Sequence, residues 1–326
     1  MRIDWERARR SRPRGEWVKV GRTHRWTKAL ILMEAVLACS NGGAIDAAAA
    51  LQRNTAHEHN AKGIVLSVDE KHRSLEVSCD EIPGYMSAMD MLFQLRDVSD
   101  AKALKPGSKI QFTIVEGGKS LYAEQIQVVT SAVFEPEPME ADGLAALHKA
   151  LSPKVGGLEV EVGQPVPDFV LTDQVGKPVH LSQFQGKVVA LTFGYSRCPN
   201  PNYCYRLSNN LAHVQKELNA HAGKDLVLLT IAIDPEHDQG EVLAQYAAGF
   251  HADPAVWHFL TGSVPEIHRV AAMFGMDFWN NEGLLTHTLH TAVVDRDGKL
   301  AANLEGNQFT SRQLADLVRS VISRPE

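Results

Sequence analysis

The stretch Lys187–Cys204, KVVALTFGYSRCPNPNYC, decides how the second half of this chain is read. It begins as an apolar run of the length and composition expected of a strand buried on both faces. Two cysteines follow, Cys198 and Cys204, with five residues between them, and the helical pattern YRLSNNLAHVQKELNAH starts beside the second. Cys198 therefore belongs to a loop and Cys204 to the beginning of a helix. Unpaired amides there carry partial positive charge and stabilise a thiolate, which is both a nucleophile and a soft metal ligand. Pro199 and Pro201 stiffen the loop and imply a fixed but wider separation of the two sulfurs. A structural disulfide is the competing reading. Closing so short a loop removes little entropy from the unfolded chain, so a functional pair is favoured.

Outward from this stretch, strand and helix alternate. DLVLLTIAID reads as a strand, GEVLAQYAAGF as a helix, AVWHFLTG as a strand and SVPEIHRVAAMFG as a helix. HTAVVDRDGKLAANLEG is a hairpin turning at Asp297-Gly298, and TSRQLADLVRSVI is a closing helix with Thr310 as its N-cap. A βαβ half followed by a ββα half is a thioredoxin-like α/β architecture, assigned to residues 161–326. His287 precedes the hairpin strand, at the same end of such a fold as the cysteines. One imidazole and two thiolates form a donor set suited to copper. His290 competes with His287, although three residues on in an extended segment it faces the opposite side.

The first half differs. GIVLSVDEKHRSLEVSCDEI gives two β runs about a polar turn at Asp69 to Arg73, and LKPGSKIQFTIVEGGKSLYAEQIQVV gives two more. Such short strands suggest a small antiparallel all-β, OB-like barrel over residues 57–130. Residues 131–160, containing FEPEPMEADG and a short helical pattern at Leu144 to Leu151, read as a linker. Within SCDEIPGYMSAMDMLF lie Met86, Met89 and Met91, three of eight methionines, with Cys79 ahead of them. Thioethers are soft donors that prefer Cu(I), and they are also gap-fillers in small cores. His57 to His59 form an auxiliary candidate.

Residues 1–50 read as a leader, a signal or lipoprotein signal. An arginine-rich stretch, the apolar ALILMEAVLACS and a small residue before Cys39 read as a secretory signal, and Val36-Leu37-Ala38-Cys39 resembles a lipobox that makes Cys39 a lipid anchor. Glu34 interrupts the apolar run. The net charge of −6 over 326 residues provides no broad basic field for nucleic acid. No apolar run reaches the roughly 18–20 residues of a transmembrane helix.

GQPVPDFVLTDQVGKPVHLSQFQGKVVALTFGYSRCP, IAIDPEHD and HTLHTAVVDRDGK together resemble the SCO/SenC family of copper-handling thioredoxin-fold proteins. The resemblance puts metal ligands on Cys198, Cys204 and His287, favours His287 over His290, and puts the acidic residue of the family's DPE motif on Asp234. Two departures stand out. The family's usual three intervening residues are five here, a spacing similar to a bacterial CPxPxxC variant, and its proline after the second cysteine is Tyr205. Residues 63–129 are similar to CusF-like copper-binding domains, whose Met-x-Met pair falls on Met89 and Met91. Cys79 stands where that family has its ligand histidine, and Met86 lies nearest to its capping tryptophan. These resemblances imply an exported periplasmic or cell-envelope copper protein. It would deliver copper, or reducing equivalents, to the binuclear copper site of a respiratory oxidase subunit, with a thiol–disulfide reductant as second partner. The rivals are a thiol–disulfide oxidoreductase acting through Cys198 and Cys204, and a sequestering copper buffer. A peroxiredoxin-type peroxidase is disfavoured, because no Thr-x-x-Cys setting surrounds Cys198.

Overall fold

The computed structural model describes residues 58–129, 159–281 and 284–324. The leader with Cys39, His57 and the helical pattern at Leu144 to Leu151 lie outside these residues. No helix among the described residues is long and apolar enough to cross a membrane.

Residues 58–128 close into a barrel of five strands: β1 (Glu58–Asp69), β2 (Ser74–Cys79), β3 (Met89–Leu95), β4 (Lys109–Gly117) and β5 (Ser120–Val128), in the order β1-β2-β3-β5-β4. Alternation along β2 and β3 sends Leu75, Val77, Cys79, Phe93 and Leu95 inward, where they are all but fully buried with Ile110, Phe112 and Ile114 of β4. The barrel is not wholly antiparallel as expected: β3 and β5 pair in parallel, because a helical turn at Val98–Ala101 and β4 lie between them in the chain, while its other pairs are antiparallel.

Residues 170–305 supply a seven-stranded sheet. Its strands are β6 (Val170–Asp173), β7 (Pro178–His180), β8 (Val188–Gly194), β9 (Leu226–Ala232), β10 (Trp257–Thr261), β13 (His290–Val294) and β14 (Leu300–Glu305), ordered β14-β13-β8-β9-β10-β6-β7. Strands β8, β9 and β10 run parallel in the centre. Every residue of β8 and β9 is buried, which is why both read as continuous apolar runs rather than alternating ones. Helices α1 (Arg206–Glu217), α2 (Gly240–Gly249) and α4 (Ser311–Ile322) share a core with one face through Leu211, Leu243 and Leu317. Helix α3 (Val264–Met273) covers the other through Ile267 and Val270. Thr310 caps α4 by accepting from the Gln313 amide. A two-stranded ribbon, β11 (Phe278–Asn281) and β12 (Leu284–His287), stands apart from the main sheet. That ribbon and the β6–β7 hairpin escape the sequence pattern because each strand has only three or four residues.

The barrel is docked on this sheet lobe rather than tethered beside it. Val65 points into the barrel, so its neighbours Ile64 and Leu66 point out, and both join the core formed by Ala301, Ala302, Leu304, Leu314 and Val318. Gly107, at φ +90°, turns the chain where an added Cβ would lie 3.3 Å from the Ala302 Cβ. The contact is also polar. Ser78 donates to Asp316 at 2.9 Å, and Lys109 Nζ to the Gln308 carbonyl at 3.1 Å.

Candidate metal centres

Strand β8 ends at Gly194 in register with Ala232 at the end of β9, so the loops after the two strands emerge side by side. The first carries Tyr195, Ser196, Arg197 and Cys198; the second carries Asp234 and Asp238. Asp238, fully buried, accepts from the Ser196 amide at 2.9 Å and from its hydroxyl. Burial holds its carboxyl above the usual range, and the neighbouring Asp234 charge adds to this against the Ser196 bonds. Asp234 pairs with Arg197 Nε at 2.5 Å. The backbone leading to Cys198 is thus fixed from the adjacent loop.

Cys204 lies in a kinked helical turn, Pro201–Tyr205, that precedes α1. The Asn200 side chain accepts from the Asn202 amide at the start of this turn, and Tyr203 has non-helical φ/ψ (−103°, −105°). The turn absorbs the extra residues of the loop and brings Cys204 back under Gly194, where a Cβ would sit 3.2 Å from the Cys204 Cβ. The wider sequence spacing therefore does not hold the sulfurs apart. Cys198 Sγ, Cys204 Sγ and a ring nitrogen of His287 all lie within 4.8 Å of one another.

His287 arrives on β12, paired across the ribbon with Phe278, which stacks on His268 at 3.9 Å between centroids. Tyr195 donates its hydroxyl to the Leu285 carbonyl at 3.1 Å, tying the ribbon to the end of β8. His287 Nδ1 lies 2.8 Å from the Thr288 carbonyl, which can only accept, so this nitrogen carries the proton. In the neutral ring Nε2 is then the free lone pair, and it lies 3.3 Å from Cys204 Sγ. His290 is not part of the cluster; its Nδ1 is 3.3 Å from Asn303 Oδ1, on the β13–β14 side.

The two thiols are unequal. Cys198 is held well below the ordinary thiol range, first by a hydrogen bond from Cys204, with the backbone amides of Asn200 and Cys204 adding to it against burial. The same bond and near-complete burial push Cys204 up. One proton is thus held between the two sulfurs, with His287 Nε2 alongside them. A soft cation replacing it would find two thiolates and one imidazole, a set that fits copper.

In the barrel, Cys79 closes β2 directly opposite Met89 of β3, and Val77 lies opposite Met91. Side chains in register share a face, so Cys79, Met89 and Met91 line one end of the β2–β3 pair. Cys79 is fully buried and burial pushes its thiol up to about 12, whereas Met89 is 49% exposed. Met86 and Met91 pack half-buried against the barrel core. Met86 closes a tight turn with Ile82 through two backbone bonds of 2.9 and 3.0 Å. The four soft donors thus run from core to surface, and Cys79 is the one a metal must deprotonate. His59, of the auxiliary candidate at His57 to His59, stacks on Tyr85 with ring centroids 3.6 Å apart.

The positioning residues Ser196, Tyr195 and Asp238 were not picked out in the sequence. The available signal was Asp234 and Asp238 in IAIDPEHD directly after β9, legible only once β8 and β9 are known to be neighbours.

Two family models match separate parts of the chain. Residues 58–128 match the family model described as copper binding periplasmic protein CusF. The human mitochondrial SCO2 homolog is 29% identical over 168 residues, 49% of this chain and 60% of that protein. The mouse homolog is 28% identical over 172 residues, 51% of this chain and 64% of that protein. The Bacillus subtilis (strain 168) SCO1 protein homolog is 28% identical over 161 residues, 48% and 82% of the two chains. The chain thus spans less than two thirds of the two mammalian relatives' length. The crystal structure of Arabidopsis thaliana ScoI with copper bound is 26% identical, with TM-score 0.42, and the match covers 48% of this chain and 96% of that one. Residues 161–323, half of the chain and the part that carries Cys198, Cys204 and His287, match the SCO1/SenC family model, and the chain belongs to the SCO1/SenC family.

Proposed function

We propose that this chain is an exported copper-handling protein with two soft-donor sites, which delivers copper to the copper subunit of a respiratory oxidase. Copper is cargo in this reading. Cys198, Cys204 and His287 hold it in the sheet lobe, and Cys79, Met86, Met89 and Met91 hold it in the barrel, taken as OB-like over residues 57–130. Residues 161–326 form the thioredoxin-like domain, 131–160 the linker and 1–50 the leader, with Cys39 as a lipid anchor in the cell envelope. The observation that carries the reading is the convergence of two sulfurs and a ring nitrogen within 4.8 Å, with the other ring nitrogen bound to the Thr288 carbonyl. A histidine held in this way has one tautomer and one free donor.

The thiols must be reduced before they bind, which calls for a thiol–disulfide reductant. Ligand exchange with a recipient's thiolates then moves the metal. The inequality of the thiols favours a second reading, thiol–disulfide oxidoreduction. The Cys198 thiolate attacks a disulfide, and Cys204 resolves the mixed disulfide, leaving Cys198–Cys204 oxidised and the substrate reduced.

Cu(I) stoichiometry on the fully reduced chain tests the proposal. Two equivalents are expected, one weakened in His287→Ala and the other in Cys79→Ser. A sheet lobe that takes up no copper, with His287→Ala indistinguishable from wild type, would leave redox exchange as its function. Loss of copper tolerance with oxidase activity intact, on deletion of the gene, would point to sequestration instead.

A further inference from the structure

Helix α4 of the sheet lobe grips the barrel at the segment that bears its soft donors. Arg312 Nη2 donates to the Cys79 carbonyl at 2.7 Å, and its Nη1 lies 3.3 Å from Asp90 Oδ1 and 2.6 Å from Asp316 Oδ2. Gln313 Nε2 donates to the Ser78 carbonyl at 3.2 Å and to Asp80 Oδ1 at 2.9 Å. Asp316, 5% exposed, accepts from the Ser78 hydroxyl. All the barrel partners fall on residues 78–80 and 90. Asp90 stands between Met89 and Met91 on β3, pointing away from the face they share with Cys79. Cys79 is the last residue of β2, and strand ends open before strand centres. The guanidinium closes that end across both strands, and its planar fork can serve a carbonyl and two carboxylates together, as an ammonium cannot. The apolar docking of Ile64 and Leu66 keeps the helix seated while it does so.

We propose that Arg312, assisted by Gln313, is a positioning residue for the barrel's copper site, so that the thioredoxin-like lobe sets the copper affinity of the barrel docked on it. This rests on the reading of Cys79, Met86, Met89 and Met91 as copper donors. Partners that orient a metal ligand typically change affinity by about 10–100-fold when removed. Arg312 acts on a backbone carbonyl and is partly exposed, so the low end is expected.

The test is Cu(I) competition against a chromophoric chelator, on the full chain carrying Cys198→Ser and Cys204→Ser so that only the barrel site reports. Arg312→Ala should weaken the site about tenfold, with the stoichiometry unchanged. Arg312→Lys, which keeps the charge and the stem but loses the fork, should recover only part of this; it decides the matter should the alanine variant not fold. Arg319→Ala, which removes a comparable pair with Asp316 and Glu217 on the same helix, should leave the affinity unchanged. Copper bound equally well with Arg312 or with alanine or lysine there overturns the positioning role and leaves the copper reading standing, as does an equal loss in Arg319→Ala. A barrel that takes up no Cu(I) even with Arg312 present overturns the copper reading itself, and the positioning role with it.

Discussion

Replacing Asp238 tests whether the loop after β9 builds the cysteine site. Its carboxylate accepts two hydrogen bonds from Ser196, two residues before Cys198, in a fully buried position. A hydrogen bond to a charged group contributes about 1.5–3 kcal/mol. Desolvation outweighs these bonds in the carboxyl's raised pKa, so the combined loss belongs near the low end, about 2–4 kcal/mol for Asp238→Ala. At about 2–4 °C per kcal/mol for a folded unit of this size, thermal unfolding of the reduced chain should drop by roughly 4–16 °C. With Ser196 released, the loop bearing Cys198 relaxes, and Cu(I) affinity at Cys198, Cys204 and His287 falls with it. Asp238→Asn keeps the shape and one acceptor, and the Ser196 hydroxyl can rotate to accept from the new amide, so a loss under about 1 kcal/mol is expected. The charged residue also has a pH signature. Its folded pKa lies above its unfolded one, so ionisation costs stability. The wild type should lose ground against Asp238→Asn as pH rises from about 4 through the carboxylate range. The reasoning fails if alanine and asparagine behave alike, or if alanine destabilises the fold while copper affinity at the cysteines stays put.

Two further outcomes follow from the same geometry. Leu66→Ala should cost about 2–5 kcal/mol, because Leu66 is 1% exposed in the core shared by barrel and sheet lobe; hydrogen exchange should quicken at β1 and β9 together, and acceleration confined to the barrel would sink the shared core. In the reduced, metal-free chain, Cys198 is held low by the Cys204 thiol, so its alkylation rate should stay nearly flat from about pH 8 to about pH 6, whereas an ordinary thiol slows nearly a hundredfold. Cys204 should resist alkylation throughout, and a rate for Cys198 that tracks an ordinary thiol would refute the assigned asymmetry.

Much of this protein is legible in one dimension. Strands β8 and β9 announce themselves as unbroken apolar runs because both their faces are covered, and Thr310 marks the start of α4 because a helix leaves amides for a hydroxyl to cap. The donor types are likewise written in the chain: thiols, thioethers and imidazole define a soft-metal chemistry before any fold is known. Convergence is not written there. That five intervening residues still bring Cys198 and Cys204 together depends on a kinked turn under Gly194, and the choice of His287 over His290 depends on which strand each occupies. Residues 78–80 and 312–316 are far apart in sequence, and nothing local in either segment specifies that they meet. The pairing arises because the outward face of β1 carries Ile64 and Leu66, apolar residues that a free-standing barrel would expose, and burying them seats the barrel on α4. Local propensity and donor chemistry act through neighbours in the chain and are fixed by sequence; the sites, the bonds that hold them and the union of the two lobes act through space, and only tertiary packing decides them.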